Sequence, residues 1–515
     1  MWYLYLLIGF SLLLTVSFIV YAANHYYLLN ASQRYVSPPL PNLPEFRPAV
    51  CVHLPVYNEK YVIERLLDAC TRMAEIYGNE RVRILVLDDS IDGTSSEIDR
   101  LVEEYSKAGF RIRVLRRVDR AGFKAGALQA ALDQTHEEFV VVFDADFIPP
   151  HDFLKRTLPY FAEDPCLGIV QTRWSHLNRD YNFSTRAIAI GIDVHFFIEQ
   201  AGRFADRCFQ NFNGSGGVLR RSAVLEAGGW QADTLAEDLD LSYRMQRRGY
   251  RVLYLKDVET PGEVPLTVPS FKRQQSRWAN GSLRTARKIL PSLLLDGNVD
   301  RKKRLEALLH LSGYLIHPLM LTSFLVACLA TLLGLGNSVF SVNSAFSPFR
   351  TNWSLTSLTA ADLHLLLWGP LVTVILVGTV APWISSIVVL KAQHLPVASN
   401  LPSLLVLYLL GSGISLVNTI EAGKALLTTR EWEFTRTPKY ASLNDFEDWR
   451  SKIYQVPLDL GWAAEVLLVA LGLAAIIHAA SDSATVSLVL LVPYTGACAF
   501  ILAMTALQSR RGHLP

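Results

Sequence analysis

Long apolar runs flank a charge-rich middle region in this chain. The apolar runs occupy the first 30 residues and much of the last 200, whereas residues 38–306 mix charged and apolar positions. A helix needs about 20 consecutive apolar residues to cross a bilayer, because each residue adds only about 1.5 Å of rise. The pattern therefore predicts a soluble domain between membrane-spanning segments.

Six apolar stretches are long enough to be considered as membrane helices. They are residues 2–22, 311–335, 365–390, 401–420, 460–479 and 486–507. The first lacks a basic n-region, which favours a retained anchor over a cleaved signal peptide. The fourth is interrupted by proline, glycine and serine, which favours an interfacial or re-entrant helix and leaves five spans. A sixth crossing is the alternative.

The distribution of Lys and Arg predicts the orientation of these segments. Residues 424–452 carry six of them and the C-terminal tail carries Arg510 and Arg511, whereas the loop 337–362 holds only Arg350. The positive-inside rule places the first two segments in the cytoplasm and the loop outside. We therefore expect a multi-pass protein of the plasma or inner membrane, embedded in a lipid bilayer, with its soluble domain in the cytosol.

This pattern predicts five consecutive parts of the chain. They are an N-terminal anchor (1–30), a cytosolic domain that ends in interfacial helices (38–306), two membrane helices (307–400), an interfacial helix with a loop (401–456), and two further helices with a short cytosolic tail (457–515).

Within the soluble domain, short β-branched runs alternate with amphipathic helical patterns. AVCVHLPV, RVRILVLDD, RIRVLRR and EFVVVFDAD predict strands, and the segments that follow them predict helices at 60–77, 94–108, 122–134 and 151–161. This alternation predicts parallel βαβ units in a Rossmann-like α/β fold. Ligands of such sheets bind at the carboxyl ends of the strands.

Acidic side chains follow two of the predicted strands. They are the pair Asp88 and Asp89, and the DAD motif with Asp144 and Asp146. Aspartates also end strands as turn formers or cap the next helix, so a single pair carries little information. Two clusters at one sheet edge, with a third acidic group downstream in AED, predict a shared site.

Composition narrows the chemistry of that site. The 49 basic and 47 acidic side chains nearly cancel, which argues against a nucleic-acid binder. The six cysteines form no CxxC motif and the 12 histidines no HExxH motif, which disfavours zinc and redox sites. A metal would have to be held by carboxylates, the ligands that suit Mg²⁺ and Mn²⁺.

Sugar transfer from a nucleotide diphosphate needs a seat for the nucleoside, neutralisation of the departing diphosphate and a base for the acceptor hydroxyl. Asp88 and Asp89 fit the first role, and Asp144 and Asp146 fit the second by holding Mg²⁺ or Mn²⁺. Lys124, in the turn AGFKAGA, places a further cation near the same phosphates.

The segment TLAEDLDLS predicts a helix start with Thr234 as a possible cap. Its carboxylates Glu237, Asp238 and Asp240 stabilise a helix N-terminus, and one of them can also serve as a general base. We choose Asp238 for that role. Farther on, FKRQQSRWANG is basic and aromatic, which fits either lipid head groups at a membrane surface or a diphosphate and a sugar ring.

In this order, the motifs PVYNE, LDDS, DAD, FNGSGG, AED and QQSRW resemble the processive family-2 glycosyltransferases. These comprise bacterial cellulose synthase catalytic subunits and, with greater similarity here, plant cellulose-synthase-like A and C mannan and glucan synthases. The resemblance covers residues 48–289 and implies a GT-A domain. It also implies inverting transfer from GDP-mannose or UDP-glucose to a growing β-1,4-linked glycan.

The resemblance also implies which residues contact each part of the substrates. They are Tyr57, Glu59 and Asp89 on the nucleoside, Lys124 and Asp144 on the diphosphate side, Asp146 on the metal, Asn213, Gly214 and Glu237 near the acceptor, Asp238 as the base, and Gln274, Arg277 and Trp278 beside the diphosphate and the acceptor sugar.

A last similarity lies in FTRTPK, which resembles the FxVTxK gating loop of cellulose synthases and implies gating roles for Phe434, Thr437 and Lys439. Arg436 replaces the Val of that motif, and Ala236 replaces the Thr of the usual TED. Two alternatives stay open at this point. One is a single-transfer lipid glycosyltransferase of the ceramide glucosyltransferase type, since QxxRW occurs there too, and the other is an inactive scaffold or transport subunit.

Overall fold

A computed structural model describes residues 2–335, 369, 380–428, 436–443, 452, 454, 456 and 461–509. The chain divides into two compact units. We call them the α/β unit (Leu28–Ser312 with Ala425–Gln455) and the membrane-helix unit (Met1–Tyr27, Gly313–Lys424 and Val456–Pro515). The five-part division expected from the sequence stays a prediction.

The α/β unit is built on a seven-stranded mixed sheet with the order β3-β2-β1-β4-β6-β5-β7. Its strands are β1 (Val50–Val56), β2 (Val82–Asp88), β3 (Ile112–Leu115), β4 (Phe139–Val142), β5 (Leu167–His176), β6 (Gly217–Arg220) and β7 (Arg251–Gly262). Strands β1 to β4 pair in parallel, as the sequence predicts. Strand β6 is antiparallel to both of its neighbours, which makes the sheet mixed and confirms a GT-A-like fold.

The α/β unit contains eleven α-helices among its described residues, and several of them cover the two faces of the sheet. They are α2 (Ile63–Tyr77), α3 (Thr94–Lys107), α4 (Phe123–Asp133), α5 (Phe153–Thr157), α6 (Tyr160–Glu163), α7 (Phe183–Val194), α8 (Ala201–Ala205), α9 (Arg221–Glu226), α10 (Glu237–Arg247), α11 (Val268–Leu294) and α12 (Arg301–Leu311). The helix predicted at 151–161 is divided at Pro159, which immediately precedes α6. Proline lacks the N–H that a continuous helix needs.

Strand β1 shows why the sequences of the central strands are continuously apolar. Val50, Val52 and Leu54 pack with α2, α3 and α5 on one face, whereas Cys51 packs with α4, α9 and α10 on the other. Side chains alternate between faces along a strand, so a strand covered on both sides has no solvent-facing position to fill with polar residues.

The remaining described α-helices are apolar, and they range from 13 to 31 residues in length. They are α1 (Trp2–Ser32), α13 (Ile316–Ala330), α14 (Val380–Ala392), α15 (Val397–Gly413), α16 (Ser415–Leu427), α17 (Gly461–Ser481) and α18 (Thr485–Gln508). Among the described residues, four helical segments are long and apolar enough to cross a membrane, or five if the pair α15 and α16, bent by 40°, counts as one. The chain is therefore a multi-pass membrane protein.

Several sequence predictions fall outside the described residues. They are the loop 337–362, most of the span predicted at 365–390, and the basic residues Arg430, Arg450, Arg510 and Arg511. The stretch 401–420 is described, and its bend between α15 and α16 fits either a broken span or a re-entrant loop.

Candidate active site

A cavity in the α/β unit opens at the carboxyl ends of β1, β2 and β4. Val56 stands opposite Asp88 in the β1–β2 pair, and His53 stands opposite Val142 in the β1–β4 pair. The residues that follow these strands are therefore neighbours in space. Fourteen predicted site residues line the cavity: Tyr57, Glu59, Asp89, Lys124, Asp144, Asp146, Asn213, Glu237, Asp238, Gln274, Arg277, Trp278, Thr437 and Lys439.

Asp88 is the predicted residue that the structure places elsewhere. Its side chain is fully buried and does not line the cavity. One carboxylate oxygen accepts the Ser90 N–H at 3.0 Å, and the other accepts the Ser95 hydroxyl at 2.7 Å and the Arg116 Nε at 2.9 Å. Asp88 thus joins the end of β2 to the start of α3. Its contact with the nucleotide stays a prediction.

Gly214 is not among the residues that line the cavity, but its carbonyl accepts a hydrogen bond from Lys124, which does line it. Its φ is +78°, and a Cβ there would lie 2.7 Å from Asp238 Oδ2. Any side chain at this position would collide with the candidate base, so glycine is required by both space and conformation. Phe434, predicted as part of the gating loop, lies outside the described residues.

The end of the cavity next to β1 and β2 combines an aromatic ring with paired charges. The Arg120 guanidinium lies 3.4 Å from the centre of the Tyr57 ring, a cation–π contact. Asp89 forms a buried ion pair with Arg117, whose guanidinium also donates to the carbonyl of Ala121 at 2.7 Å. Arg117 therefore fixes Asp89 to the glycine-containing turn ahead of α4.

Lys124 stands at the centre of the acidic side chains. Its Nζ lies 2.7 Å from Asp144 Oδ1 and 3.6 Å from Glu237 Oε1, and it donates to the Gly214 carbonyl at 3.1 Å. Burial disfavours its charge, but the nearby carboxylates outweigh burial and raise the pKa of Lys124 above its usual value. The ammonium therefore stays charged in a place where an anionic ligand would meet it.

Asp238 lies in the first turn of α10, which begins at Glu237. Burial, followed by repulsion from Glu237, raises the pKa of Asp238 to about 7, and Lys124 only partly opposes this shift. A carboxyl group with a pKa near neutrality can accept a proton during a reaction and release it afterwards. The expected cap Thr234 is wrong, because Ala236 occupies the cap position without a side-chain bond.

Helix α11 contributes the residues of the QQSRW motif. Thr267 caps its start by accepting the Ser270 N–H. Gln274, Arg277 and Trp278 are spaced i, i+3 and i+4, so they share one helix face, and that face lines the cavity. Burial lowers the pKa of Arg277, against the opposing effect of Glu237 and the neighbouring aspartates.

The segment 436–443 covers part of the cavity and pairs with its acidic residues. Arg436 makes a two-pronged contact with Glu59, at 3.1 and 3.0 Å. Lys439 Nζ lies 2.5 Å from Asp146 Oδ2 and donates to the Glu263 carbonyl at 3.1 Å. Burial raises the pKa of Glu59 to about 8 although Arg436 lowers it. Arg436 and Lys439 of this segment are thus paired with Glu59 and Asp146 of the site.

Hydrogen bonds to two neighbouring residues fix the position of Asn213. His195 Nε2 and Asn213 Oδ1 are 3.0 Å apart, and the Asn213 N–H donates to Gln171 Oε1 at 2.9 Å. His195 lies in a π-helical turn, His195–Gln200, directly after α7. Such turns are often found at functional sites.

Several cavity residues were not predicted from the sequence. They are Arg120, Trp174, His176 and Glu263. The basic run RRVDR directly after β3 was an available signal for Arg120, because it ends a strand at the same sheet edge as the acidic clusters. Glu263 follows β7 as a single carboxylate, and no motif in the sequence distinguishes it from the other glutamates of the chain.

The acidic residues also bear on metal binding. In the portion of the chain that the structure describes, no group of three or more His, Cys, Asp or Glu side chains is arranged to hold an ion. Mg²⁺ and Mn²⁺ are nevertheless held in many phosphate sites by one or two carboxylates together with substrate oxygens and water. Asp144 and Asp146 line one cavity and provide two such carboxylates, so their chemistry fits.

Parts of this chain are similar to known proteins. Residues 48–281 match a family model described as glycosyltransferase like family 2. Glucomannan 4-beta-mannosyltransferase 2 of Arabidopsis thaliana is 37% identical over 256 residues, which is 49% of this chain and 48% of that protein. Probable glucomannan 4-beta-mannosyltransferase 4 of Oryza sativa subsp. japonica is 36% identical over 265 residues, 51% of this chain and 48% of that protein. The chain thus spans about half the length of these relatives.

Among solved structures, the mannosyltransferase PcManGT from Pyrobaculum calidifontis, in complex with GDP-Man and Mn²⁺, is similar at 22% identity and a TM-score of 0.48. The match covers 72% of this chain and 98% of that chain. The family assignment rests on the sequence matches and agrees with the motif resemblance. Residues 48–281 therefore form a family-2 glycosyltransferase domain, through which the chain is related to plant glucomannan 4-beta-mannosyltransferases.

Proposed function

We propose that this chain is an inverting synthase that extends a β-1,4-linked mannan, glucomannan or glucan from a nucleotide sugar at the cytosolic face of the membrane, and that it translocates its product. The observation that carries the proposal is a single cavity in which Asp89, Asp144, Asp146 and Asp238 meet. The names of the relatives favour GDP-mannose as the donor, with UDP-glucose as the second candidate.

In the proposed reaction, a hydroxyl oxygen of the acceptor attacks the anomeric carbon of the donor hexose as the bond to the diphosphate breaks. The hydroxyl proton passes to the Asp238 carboxylate, whose pKa of about 7 suits this role. The negative charge that leaves with the nucleotide is met by Lys124 and Arg277, both of which line the cavity. Attack opposite the departing diphosphate inverts the configuration at carbon 1.

The charge of the cavity supports a divalent cation. Seven carboxylates line it beside five Lys or Arg side chains, so the wall holds carboxylate ligands close to the basic groups that would meet an anionic diphosphate. We assign Asp144 and Asp146 as the protein ligands of Mg²⁺ or Mn²⁺. When bound, the cation neutralises the diphosphate.

We further propose that the segment 436–443 acts as a gate. Arg436 and Lys439 pair with Glu59 and Asp146, two carboxylates to which we assign donor and metal contacts. Binding of the donor with its cation would replace these pairs. The segment would then close over the nucleotide with Lys439 toward the diphosphate, which agrees with the gating roles that the FTRTPK motif implies for Thr437 and Lys439.

The proposal is tested with the purified full-length chain in lipid nanodiscs. GDP or UDP release and incorporation of labelled sugar are measured with each donor, with Mn²⁺, with Mg²⁺ and with EDTA. We expect one donor to give a polymer that a β-1,4-specific glycanase degrades, and EDTA to abolish its formation. Asp238→Asn protein provides the background.

The two alternatives predict different products in the same assay. A single labelled sugar on an extracted lipid would indicate the ceramide glucosyltransferase type. A chain that releases no nucleotide from either donor, while folded, would be a scaffold. Either result would contradict the proposed synthase.

A further inference from the structure

One wall of the cavity contains a histidine that the proposed reaction does not use. An ion pair lies behind this histidine. His176 is the last residue of β5 and stands opposite Gly262 of β7. It lines the cavity together with Trp174, Ser175 and Ile192. Its side chain is only 4% exposed, so the ring is held in the wall rather than in solvent.

A carboxylate fixes the ring of this histidine. His176 Nε2 lies 3.0 Å from Asp193 Oδ1, and Arg179 Nη1 donates to Asp193 Oδ2 at 2.6 Å. The Asp193 side chain is 1% exposed. The contact with Asp193 occupies Nε2 and leaves Nδ1 as the second ring nitrogen. In the tautomer that carries its hydrogen on Nε2, the ring donates to Asp193 and Nδ1 is a hydrogen-bond acceptor.

The chain around these residues is firmly held. Asn178 and Val264 exchange two hydrogen bonds, at 2.8 and 2.9 Å, and so fix the segment after β5 to the segment after β7. Helix α7, which carries Asp193, begins with a reciprocal cap between Asn182 and Thr185. A side chain fixed from several directions can place one acceptor atom accurately against a ligand.

The position of His176 points to the sugar rather than the nucleoside. The residues assigned to the nucleoside follow β1 and β2, whereas β5 is separated from β4 by β6. The segment before β6 supplies Asn213, and the Trp174 indole N–H donates to the Ser215 carbonyl of the same segment at 3.0 Å. His176 therefore lies on the side of the cavity where the acceptor residues are expected.

We propose that His176 Nδ1 accepts a hydrogen bond from one hydroxyl of the acceptor sugar, with Asp193 as its positioning residue, so that His176 determines acceptor specificity. This inference rests on the proposed function. A site built to bond a hydroxyl discriminates against an analogue that lacks it, because the buried acceptor is then left without a partner.

The test uses the full-length protein with His176→Gln and His176→Phe. Glutamine can keep an N–H donor toward Asp193 but offers no acceptor at the Nδ1 position, and phenylalanine removes both groups. We measure KM and kcat for soluble β-1,4-linked tetrasaccharides and their monodeoxy analogues. Donor KM and donor hydrolysis without acceptor are measured in parallel.

We expect kcat/KM for the acceptor to fall about tenfold in both variants, the size of one hydrogen bond. Donor KM and acceptor-free hydrolysis should stay within about twofold. The wild type should discriminate about tenfold against one monodeoxy acceptor, and the variants should not. A purely structural role would instead lower the melting temperature and change all substrates alike.

Three outcomes separate the possible failures. Variants that keep the preference of the wild type for every hydroxyl would overturn the inference alone. A parallel change in donor KM would also overturn it, because it would place His176 on the donor. A wild type that transfers sugar to no acceptor would instead contradict the proposed function.

Discussion

Replacement of Asp238 by asparagine tests the proposed base directly. Asparagine keeps the size of the side chain but accepts no proton, and general-base assistance contributes about 10²–10⁴ in rate. We therefore expect Asp238→Asn to lower kcat by at least 100-fold at pH 8 with little change in donor KM. Transfer of labelled sugar in nanodiscs measures both values.

The pH dependence of the wild type follows from the same group. With a pKa of about 7, Asp238 is mostly deprotonated at pH 8 and only about one-tenth deprotonated at pH 6. The base works in its deprotonated form, so kcat/KM should fall about tenfold from pH 8 to pH 6. A profile that stays flat across this range, or falls as pH rises through 7, would refute Asp238 as the base.

The thermal stability of Asp238→Asn shows whether a loss of activity comes from catalysis or from misfolding. The pKa of Asp238 is raised from 3.8 to about 7, so the folded state disfavours its charge by about 4 kcal/mol above pH 7. This penalty grows as pH rises from about 4 to 7, and asparagine removes it. The variant should melt no lower than the wild type at pH 8. Asp233→Asn, an exposed change that loosens a surface pair with Lys288, is the matched control and should keep full activity.

Three further predictions address the surroundings of the base. Asp88→Asn should lower the melting temperature by weakening the bonds of this buried side chain with Ser95 and the partly exposed Arg116, with a smaller effect on kcat than Asp238→Asn; thermal unfolding and kinetics together check this. Arg436→Val should lower donor KM at pH 8, because the guanidinium no longer competes for the site, and an unchanged or higher KM would contradict the gate. EDTA should abolish transfer and added Mn²⁺ should restore it, whereas a rate that is insensitive to EDTA would contradict the assignment of Asp146.

Much of the fold followed from periodicity alone. The predicted helices 94–108 and 122–134 agree with α3 and α4 to within one residue at each end. Local sequence suffices there because buried β-branched runs and amphipathic helices alternate. The antiparallel strand β6 did not follow from pattern, since four residues inside FNGSGGVLRR are too few to show a period.

The basic residues of the site were harder to predict than the acidic ones. Arg117 and Arg436 reach Asp89 and Glu59 from 28 and 377 residues away, and an ion pair of that separation leaves no local spacing to read. The presence of Arg436 in place of the Val of the gating motif could be read from the sequence. Its contact with Glu59 required the folded chain.

The two aspartate motifs differ in how many of their side chains line the cavity. Successive side chains of a strand point to opposite sides, so the adjacent residues Asp88 and Asp89 at the end of β2 cannot both face one cavity. The structure places Asp89 in the cavity and Asp88 against α3. Asp144 and Asp146 are two residues apart beyond β4, and both reach the cavity. Residues 145 and 146 form a turn beyond β4, where the alternation of a strand no longer applies, and Ala145 lines the cavity together with both aspartates. A DD pair at a strand end therefore divides between two sides, whereas a DxD motif in the turn after a strand can bring both carboxylates to one cavity.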